Sequence, residues 1–510
     1  FLKAKDRVLQ ELREELKWPE FNPNSVNHKR EMLFGEALNG KKPGEDGAIN
    51  RIRPAEGISL GLTPLKASGK QAMMWDKVME KGLVSSYSPS TAKDTLGIFA
   101  HKNPTVKRLM DYSFINQALN TALRAPSEGT LLYLDNNYEE EDISGDDDAV
   151  EDVKQRGLLD YVCSDGAIHS MYWQTKETGR ASSAKPNLMA ISKKRDKDYK
   201  RIVGAGFQPI RSLFISRPGH LLVEADFIGA ELAVMAWLSG DELMIDHVRR
   251  SGLREDHPDY FDIHSSFAVE IFKLNLPPKK SALEAAGMKT FRDAVKTIVF
   301  GIPYGRGMEA VVMAVKEESG IEISVEDAGK IRDGIFTRYP KLLPFLERTK
   351  NRVVSPGFLR DAFMGTRRFT IIGDERKAVE DAKREAGNFR IQGTVARAMS
   401  MGLYYLRKYR RAIEPNLGYR VLNQIHDAAI SECPNHQVEH FVDHVLPTCL
   451  SRAIKFYAVD DDGRKVSEKI CQFDLDIHVY ERWGVDLMHA DCDRLGISRK
   501  FGKAPKVKAA

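Results

Sequence analysis

The chain has few cysteines, and their arrangement excludes two kinds of scaffold. Its 510 residues include five cysteines, none of them in a Cys-x-x-Cys pair. The scattered positions indicate neither a structural zinc site nor a disulfide framework. Free thiols favour a reducing compartment, so we expect a cytoplasmic protein.

Long uncharged hydrophobic runs are also missing. The most apolar stretch, residues 220–240, carries Glu224, Asp226 and Glu231. A membrane-spanning helix needs about 20 predominantly apolar residues, and the N-terminal residues show no secretory signal pattern. The sequence therefore predicts no membrane association.

Basic residues are missing from one segment, residues 135–152, which holds ten Asp and Glu and is predicted to be an exposed loop. The whole chain has a net charge of +5, so the remainder holds 77 Lys and Arg against 62 Asp and Glu, a net charge of +15. This excess suits a polyanionic partner such as nucleic acid. A basic solvated surface explains the charge about as well.

Helical and strand-like patterns occur in separate blocks along the chain. Helical patterns cover residues 2–17, a segment after the cap residue Ser25, 70–82, 104–124, 230–350 with a joint at 277–287, and 376–410. A pattern of short strands and turns begins at about residue 157 and precedes the helical block at 230–350. Further strand-like patterns cover residues 419–432 and 471–484. Helices in the middle with strands on both flanks predict an α+β fold, in which a helical insertion interrupts one domain.

Two acidic residues stand at the ends of predicted strands. An apolar strand, Leu221–Ala225, ends at Asp226, and residues 421–432 read as a hairpin with Asp427 at its tip. If the two strands share a sheet, the aspartates can hold a pair of divalent ions, as in-line phosphoryl displacement requires. Taken singly, each aspartate could equally be a helix cap or a turn residue.

A cationic edge marks the helix predicted at residues 291–305. Arg292, Lys296 and Phe300 recur every four residues and so share one helix face. The two cations can clamp phosphates, and the ring offers a surface on which a base can stack. A solvated basic edge over core rings is the alternative.

A polar segment, residues 175–191, contains a tight turn at Gly179 followed by Arg180 and Asn187. Such side chains can donate hydrogen bonds to the minor groove of a duplex. An ordinary surface loop is the alternative.

Together these segments resemble the motifs of family A DNA polymerases. The matching stretches, in chain order, are "WPEFNPNS" (18–25), "TGRASSAKPNL" (178–188), "ADFIGAEL" (225–232), "FDIHSSFA" (261–268), "RDAVKTIVFGIPYG" (292–305), "IQGTVARA" (391–398) and "QIHDAA" (424–429). The resemblance extends from about residue 18 to 485 and has a viral or phage character. It implies a right-hand polymerase with a palm sheet and helical fingers and thumb.

The resemblance also implies roles for the matching residues. Asp226 and Asp427 would bind two Mg²⁺ ions, for which Mn²⁺ is expected to substitute, and Arg292 and Lys296 would act with them in catalysis. The implied nucleotide-binding residues are Glu231, His264, Phe300 and Tyr304, with Glu231 as the gate against a 2′-hydroxyl. The implied primer-template residues are Arg180, Asn187, Arg384, Asn388, Gln392, Gln424 and His426.

Some positions depart from the family pattern. Ala428 stands where the family usually has Glu, which leaves two strong carboxylates, and Gly229 and Ala233 replace polar or basic residues. Pro303 removes an N–H within the helix motif and predicts a kink or helix end.

The resemblance predicts a thumb at 1–158 with an insert at 36–82, palm segments at 159–235 and 405–510, and fingers at 236–404. The insert is a candidate contact for DNA or a processivity factor, with a solvated loop as the alternative. A monomer is expected, and so is the absence of 3′–5′ proofreading, since no exonuclease-like carboxylate pair precedes the thumb.

The expected activity is template-directed transfer of nucleotides from dNTPs to a primer 3′-hydroxyl, as in viral or phage DNA replication. Three alternatives remain open: reverse transcription in the same site, a single-subunit RNA polymerase, and a catalytically silent DNA-binding subunit. Glu231 and Phe300 favour deoxynucleotides over ribonucleotides, and the retained aspartates and cations speak against a silent subunit.

Overall fold

A computed structural model of the chain provides its fold. It describes residues 1–38, 52–62, 91–124, 157–174, 176–191, 195–301, 307–319, 321–369, 376–459 and 464–504. Four predicted features lie outside these residues: the helix at 70–82, the acidic loop at 135–152, the kink at Pro303 and the position of Tyr304. Most of the insert at 36–82 does so as well.

The described residues form two compact units, and the first contains residues 1–169 and 194–208. Its helices are α1 (Leu2–Glu15), α2 (Val26–Leu38), α3 (Lys93–Ala100), α4 (Pro104–Asn120) and α5 (Asp196–Val203), with a 3₁₀ turn at Leu158–Tyr161. Leu12, Trp18 and Phe34 are fully buried in its core. The Ser25 hydroxyl accepts a hydrogen bond from the His28 backbone N–H at 3.3 Å, which confirms the predicted cap of α2.

The second unit contains residues 170–193 and 209–510. Its strands are β1 (Met171–Trp173), β2 (Ser182–Ala184), β3 (His220–Phe227), β4 (Phe358–Arg360), β5 (Thr366–Arg368), β6 (Arg420–Ile425), β7 (Ala428–Pro434), β8 (Lys455–Val459), β9 (Lys465–Gln472), β10 (Leu475–Tyr480), β11 (Leu487–Met488) and β12 (Gly502–Lys503). Strands β10, β3, β7 and β6 form, in that order, one antiparallel sheet. The other strands pair as two-stranded ribbons.

The second unit combines this sheet with eleven described helices, in agreement with the predicted α+β class. They are α6 (Ala230–Ser239), α7 (Glu242–Ser251), α8 (Ile263–Ile271), α9 (Lys280–Ala285), α10 (Lys289–Gly301), α11 (Met308–Ser319), α12 (Val325–Arg338), α13 (Leu342–Asn351), α14 (Arg376–Ala412), α15 (Val438–His440) and α16 (His489–Leu495). Two π-helical segments, Phe441–Val445 and Pro447–Arg452, follow α15. None of the described helices is long and apolar enough to cross a membrane.

The core of the second unit lies between the sheet and these helices. Every residue of β7 is buried, as expected of a central strand. Helix α6 is buried from Leu232 to Ser239 and packs in the same core. Its burial fixes the segment that leads directly out of β3, so the end of that strand has a defined position.

The predicted joint at 277–287 lies between α8 and α10 and itself contains the short helix α9. Leu283 of α9 is completely buried in the main core. The two prolines lie before the helix and outside it, so burial of Leu283 stabilises α9 without any conflict with their preference for non-helical backbone. The four-part division into thumb, palm and fingers stays a prediction, since the contacts among the described residues separate only two units.

Candidate active site

The ends of two central strands bring Asp226 and Asp427 together. Strands β3 and β7 pair antiparallel, with Asp226 directly opposite Ala428. Asp427 precedes Ala428 in the chain, so it is the neighbour of the residue that faces Asp226. Facing residues on paired strands lie about 4.5–5.5 Å apart. The two aspartates predicted from separate motifs therefore share one end of the sheet.

A two-residue turn between β6 and β7 holds Asp427. His426, its first residue, has a φ of 56°, and the Gln424 Nε2 donates a hydrogen bond to the His426 carbonyl oxygen at 3.1 Å. A non-glycine residue in this left-handed region costs roughly 1–3 kcal/mol. The paired strands and the Gln424 bond hold the turn in this conformation. Gln424 and His426 thus fix the backbone beside Asp427.

The environment of the two aspartates disfavours negative charge. Burial and then the charge of Asp427 raise the pKa of Asp226 to about 7, although a backbone hydrogen bond from Phe227 acts the other way. Burial also raises the pKa of Asp427. Among the described residues, the Asp226 Oδ1 is buried without a hydrogen-bond partner. A bound cation would relieve both the repulsion and the unsatisfied oxygen.

The residues present fit a divalent cation of the magnesium type. Magnesium is commonly bound by one or two carboxylates, with water and substrate phosphates as the remaining ligands. Within the described part of the chain, no group of three or more His, Cys, Asp or Glu side chains is arranged for a metal ion. Water and substrate phosphates can complete the ligands of a cation held by the two carboxylates.

This environment predicts a stability change in the variant Asp226→Asn. The raised pKa means that native Asp226 keeps its proton up to about pH 7, whereas the unfolded residue loses it near pH 4. The wild-type protein therefore loses stability as the pH rises through that window. In EDTA at pH 8, Asp226→Asn should be more stable than wild type by about 2 kcal/mol, half the value expected without solvent screening.

Thermal unfolding of both proteins at pH 4 and pH 8 measures this effect. The difference should nearly vanish at pH 4, where wild-type Asp226 is protonated in the native state. Adding Mg²⁺ at pH 8 should stabilise wild type and leave Asp226→Asn unchanged. A variant that is less stable than wild type at pH 8 in EDTA would contradict the assigned electrostatics.

One acidic neighbour was missed in the sequence. Asp476 on β10 faces Asp226 from the side opposite to Ala428, and its charge contributes to the raised pKa of Asp226. The His478 Nε2 lies 3.3 Å from the Asp476 Oδ2. The strand pattern of residues 475–480 was visible in the sequence, but its register against β3 was not.

The cationic helix α10 brings its predicted residues together with His264. The Lys296 Nζ lies 5.7 Å from the centre of the Phe300 ring. The centres of the His264 and Phe300 rings are 5.9 Å apart. Lys296 is exposed, Phe300 is half-buried and His264 is buried. These three predicted site residues thus form one cluster between α8 and α10.

Arg292 has a partner that the sequence analysis did not identify. Its Nε donates to the Asp262 Oδ2 at 2.8 Å, and its Nη2 donates to Oδ1 at 3.4 Å. Asp262 also caps α8 by accepting from the backbone N–H groups of His264 and Ser265. Burial acts to raise the pKa of Asp262, but the hydrogen bonds and charge of Arg292 outweigh it, and the pKa is lowered. Arg292 is therefore part of a buried ion pair that joins α8 to α10.

The same surroundings keep His264 neutral. Burial, followed by the positive charge of Arg292, lowers the pKa of His264 to about 3. Its Nδ1 is buried without a hydrogen-bond partner among the described residues. A neutral imidazole can both donate and accept a hydrogen bond, so His264 can orient an anionic ligand but adds no charge.

Two predicted site residues, Arg180 and Glu231, contact each other directly. The Arg180 Nη2 donates to the Glu231 Oε1 at 2.9 Å. Glu231 lies in the first turn of α6, which starts after Gly229 in the left-handed conformation with a φ of 57°. That backbone conformation accounts for glycine at this departure from the family pattern.

The other predicted primer-template residues lie around the β1–β2 ribbon and on α14. The Asn187 Oδ1 accepts a hydrogen bond from the Ser183 hydroxyl at 3.0 Å. Helix α14 lies alongside the ribbon, since the Gln174 Nε2 donates to the Ser400 Oγ at 3.3 Å. Arg384, Asn388 and Gln392 recur every four residues and so share one face of α14. Arg384 is exposed and pairs with Asp381, whereas Asn388 and Gln392 are half-buried.

The arrangement of the strands and helices is that of a polymerase domain. A solved structure, the POL domain of Pol1 from M. smegmatis in complex with DNA primer-template and dNTP, matches with a TM-score of 0.61. The match covers 94% of this chain and 65% of that chain, at 19% sequence identity, so it establishes the fold.

The sequence comparisons identify the family. Residues 150–459 match the profile described as DNA polymerase family A. The match covers more than half of the chain, which therefore belongs to DNA polymerase family A, as its motifs predicted. DNA polymerase I from Caldicellulosiruptor bescii is 29% identical over 302 residues, covering 59% of this chain and 31% of that protein. Thermostable DNA polymerase I from Thermus aquaticus is 32% identical over 277 residues, covering 54% of this chain and 29% of that protein.

The chain corresponds to only part of these relatives. The matched region spans less than a third of the length of each of the two curated relatives. Both relatives are bacterial, so the expected viral or phage origin gains no support from them and stays a prediction.

Proposed function

We propose that this chain carries out template-directed DNA synthesis, transferring nucleotides from dNTPs to the 3′-hydroxyl of a primer. The observation that supports this most strongly is the pairing of β3 with β7, which makes Asp427 the neighbour of the residue facing Asp226. Membership of DNA polymerase family A supports the same reaction. The M. smegmatis structure, which contains primer-template and dNTP, suggests the same ligands for this chain.

Asp226 and Asp427 would hold the divalent cations, generally Mg²⁺ in this family. When bound, the ions stabilise the attacking and leaving oxygens of an in-line displacement. The carboxylates contribute by fixing those ions at the end of the sheet. Their raised pKa values imply that cation binding competes with protons, so activity should fall below about pH 7.

The remaining residues would bind the nucleotide. Lys296 and Arg292 would neutralise the triphosphate, and Phe300 would offer its ring to the incoming base. His264 would donate a hydrogen bond without adding charge. Arg292 would contact the triphosphate while its side chain is held by Asp262, so its guanidinium is oriented before the nucleotide arrives.

Glu231 would exclude ribonucleotides by size. The variant Glu231→Ala should therefore accept ribonucleotides better, with a discrimination ratio between dNTP and rNTP at least about tenfold lower than in wild type. Competition between the matching dNTP and rNTP during extension of a labelled primer measures the ratio. The exposed Glu347 on α13 supplies a control, since Glu347→Ala removes the same side chain outside the proposed site. Unchanged sugar discrimination in Glu231→Ala would argue against the gate.

Extension of a labelled primer in the presence of Mg²⁺ tests the proposed function. We expect extension on a DNA template with dNTPs, much less with rNTPs, and none in EDTA. A parallel reaction on an RNA template separates reverse transcription from synthesis on DNA. Binding of primer-template without any extension would overturn the proposal in favour of a silent DNA-binding subunit.

A further inference from the structure

A row of three residues crosses the sheet at the proposed metal site. Asp226 on β3 faces Asp476 on β10 on one side and Ala428 on β7 on the other. Residues that face each other on paired strands lie on the same face of the sheet, with Cβ atoms about 4.5–5.5 Å apart. Because Asp427 directly precedes Ala428, Asp226 has an acidic neighbour on each side.

Asp476 differs from the two proposed ligands in its exposure. Its side chain is 61% exposed to solvent, whereas Asp226 and Asp427 are half-buried. Over the residues that the structure describes, no three side chains of His, Cys, Asp or Glu are arranged to hold a metal ion directly. Asp476 is therefore placed beside the proposed site without being a third ligand.

His478 restricts the position of the Asp476 carboxylate. The His478 Nε2 lies 3.3 Å from the Asp476 Oδ2. The two residues are two positions apart on β10 and so lie on the same face of the sheet. An exposed side chain that already has a neighbour loses less conformational freedom when it binds something further. The Asp476 carboxylate is thus held on the face of the sheet that carries Asp226.

The spacing suits a contact through water. Mg²⁺ keeps several water ligands at about 2.1 Å, and a water donates a hydrogen bond to a carboxylate over about 2.7 Å. A carboxylate can therefore act on an ion about 4–5 Å away without binding it, and facing side chains on paired strands are within this reach. The buried Asp226 Oδ1, which has no hydrogen-bond partner among the described residues, offers the direct contact.

We propose that Asp476 is a positioning residue for the cation that Asp226 holds, and that its carboxylate, oriented by His478, accepts hydrogen bonds from the water ligands of that ion. This inference rests on the proposed function. The contact adds negative charge beside the site but occupies no coordination position, so the remaining positions stay open to substrate phosphates. Metal affinity should therefore depend on Asp476.

Binding of Mn²⁺ measures this role apart from catalysis. The protein is mixed with the matching dNTP and a primer-template whose primer lacks a 3′-hydroxyl, and free Mn²⁺ is followed by electron paramagnetic resonance. The variant Asp226→Asn/Asp427→Asn in the same mixture gives the background from DNA and dNTP. Asp476→Asn should raise the apparent Kd for Mn²⁺ about tenfold, as expected for loss of an outer-shell partner. Asp333→Asn, which removes an exposed carboxylate on α12, should leave the Kd unchanged.

Two further comparisons separate positioning from a structural role. His478→Ala should raise the Kd by less than Asp476→Asn does, and it should have no effect when combined with Asp476→Asn, because His478 acts through Asp476. In EDTA, Asp476→Asn should unfold at a temperature no lower than wild type, since it removes a negative charge beside Asp226. A loss of stability there would overturn the inference in favour of a structural role.

Three other results would also overturn it. Asp476→Asn could bind Mn²⁺ as tightly as wild type. It could lose all binding of Mn²⁺, which would make Asp476 a direct ligand. His478→Ala could weaken binding equally with and without Asp476. In each case wild type still extends primers, whereas failure of the proposed function would appear as no extension by wild type.

Discussion

Replacing Asp427 with Asn should reduce primer extension about a thousandfold while the protein stays folded and still binds primer-template. The carboxylate that holds divalent cations contributes several kcal/mol to the transition state, and each 1.36 kcal/mol is tenfold in rate. Asp427 lies in a turn, carries a raised pKa and forms no ion pair with any residue that the structure describes, so loss of its charge should leave the fold stable. Single-turnover extension and DNA-binding titrations measure the two properties separately.

Asp226→Asn should give a similar loss of extension, since the two carboxylates act together. Asp246→Asn offers a matched control, because Asp246 is an exposed residue on α7 whose partner is Arg250. Its rate should equal that of wild type. If Asp427→Asn extended primers within tenfold of wild type, Asp427 would not be a ligand of the catalytic cations.

Lys296→Ala and Arg292→Ala should differ in kind, although the two residues occupy the same helix face. Lys296 is exposed. The Lys296→Ala variant should therefore have a kcat/KM for dNTP about a hundredfold below that of wild type, as expected for loss of a charge-assisted contact worth about 3 kcal/mol. Its stability should be unchanged. Arg292→Ala would leave the buried Asp262 carboxylate without its cation. It should lower the free energy of unfolding by about 3 kcal/mol in addition to its effect on nucleotide binding.

Denaturant unfolding and steady-state kinetics on the same variants separate these effects. Lys289→Ala, on the first residue of α10, is a matched control and should retain normal kinetics. Asp262→Asn combined with Arg292→Ala should recover most of the stability, since Asn is as good a helix cap as Asp and carries no unpaired charge. An Arg292→Ala protein as stable as wild type would contradict the structural part of its role.

Local sequence patterns were sufficient to predict most of the elements around the site. The apolar run before Asp226 predicted β3, and the polar trio inside an apolar run predicted the hairpin that holds Asp427. The cap at Ser25 and the long helix α14 were predicted in the same way. These features depend on neighbours a few residues away, and a single sequence contains that information.

Features that depend on distant residues could not be predicted. The register that sets Asp226 between Ala428 and Asp476 is fixed by the packing of three strands from separate parts of the chain. Asp262 could be identified as a helix cap from its position before an apolar helix, but its pairing with Arg292 required the packing of α8 on α10. The same holds for the contact between Arg180 and Glu231.

The central claim is that Asp226 and Asp427 together hold the cations used in nucleotide transfer, and the position of bound Mn²⁺ tests it most directly. Crystals of the protein with primer-template, a non-hydrolysable dNTP and Mn²⁺ would reveal the ions by anomalous scattering. The account predicts two peaks about 4 Å apart, in contact with both carboxylates. Peaks that contact neither aspartate, or only one of them, would contradict it.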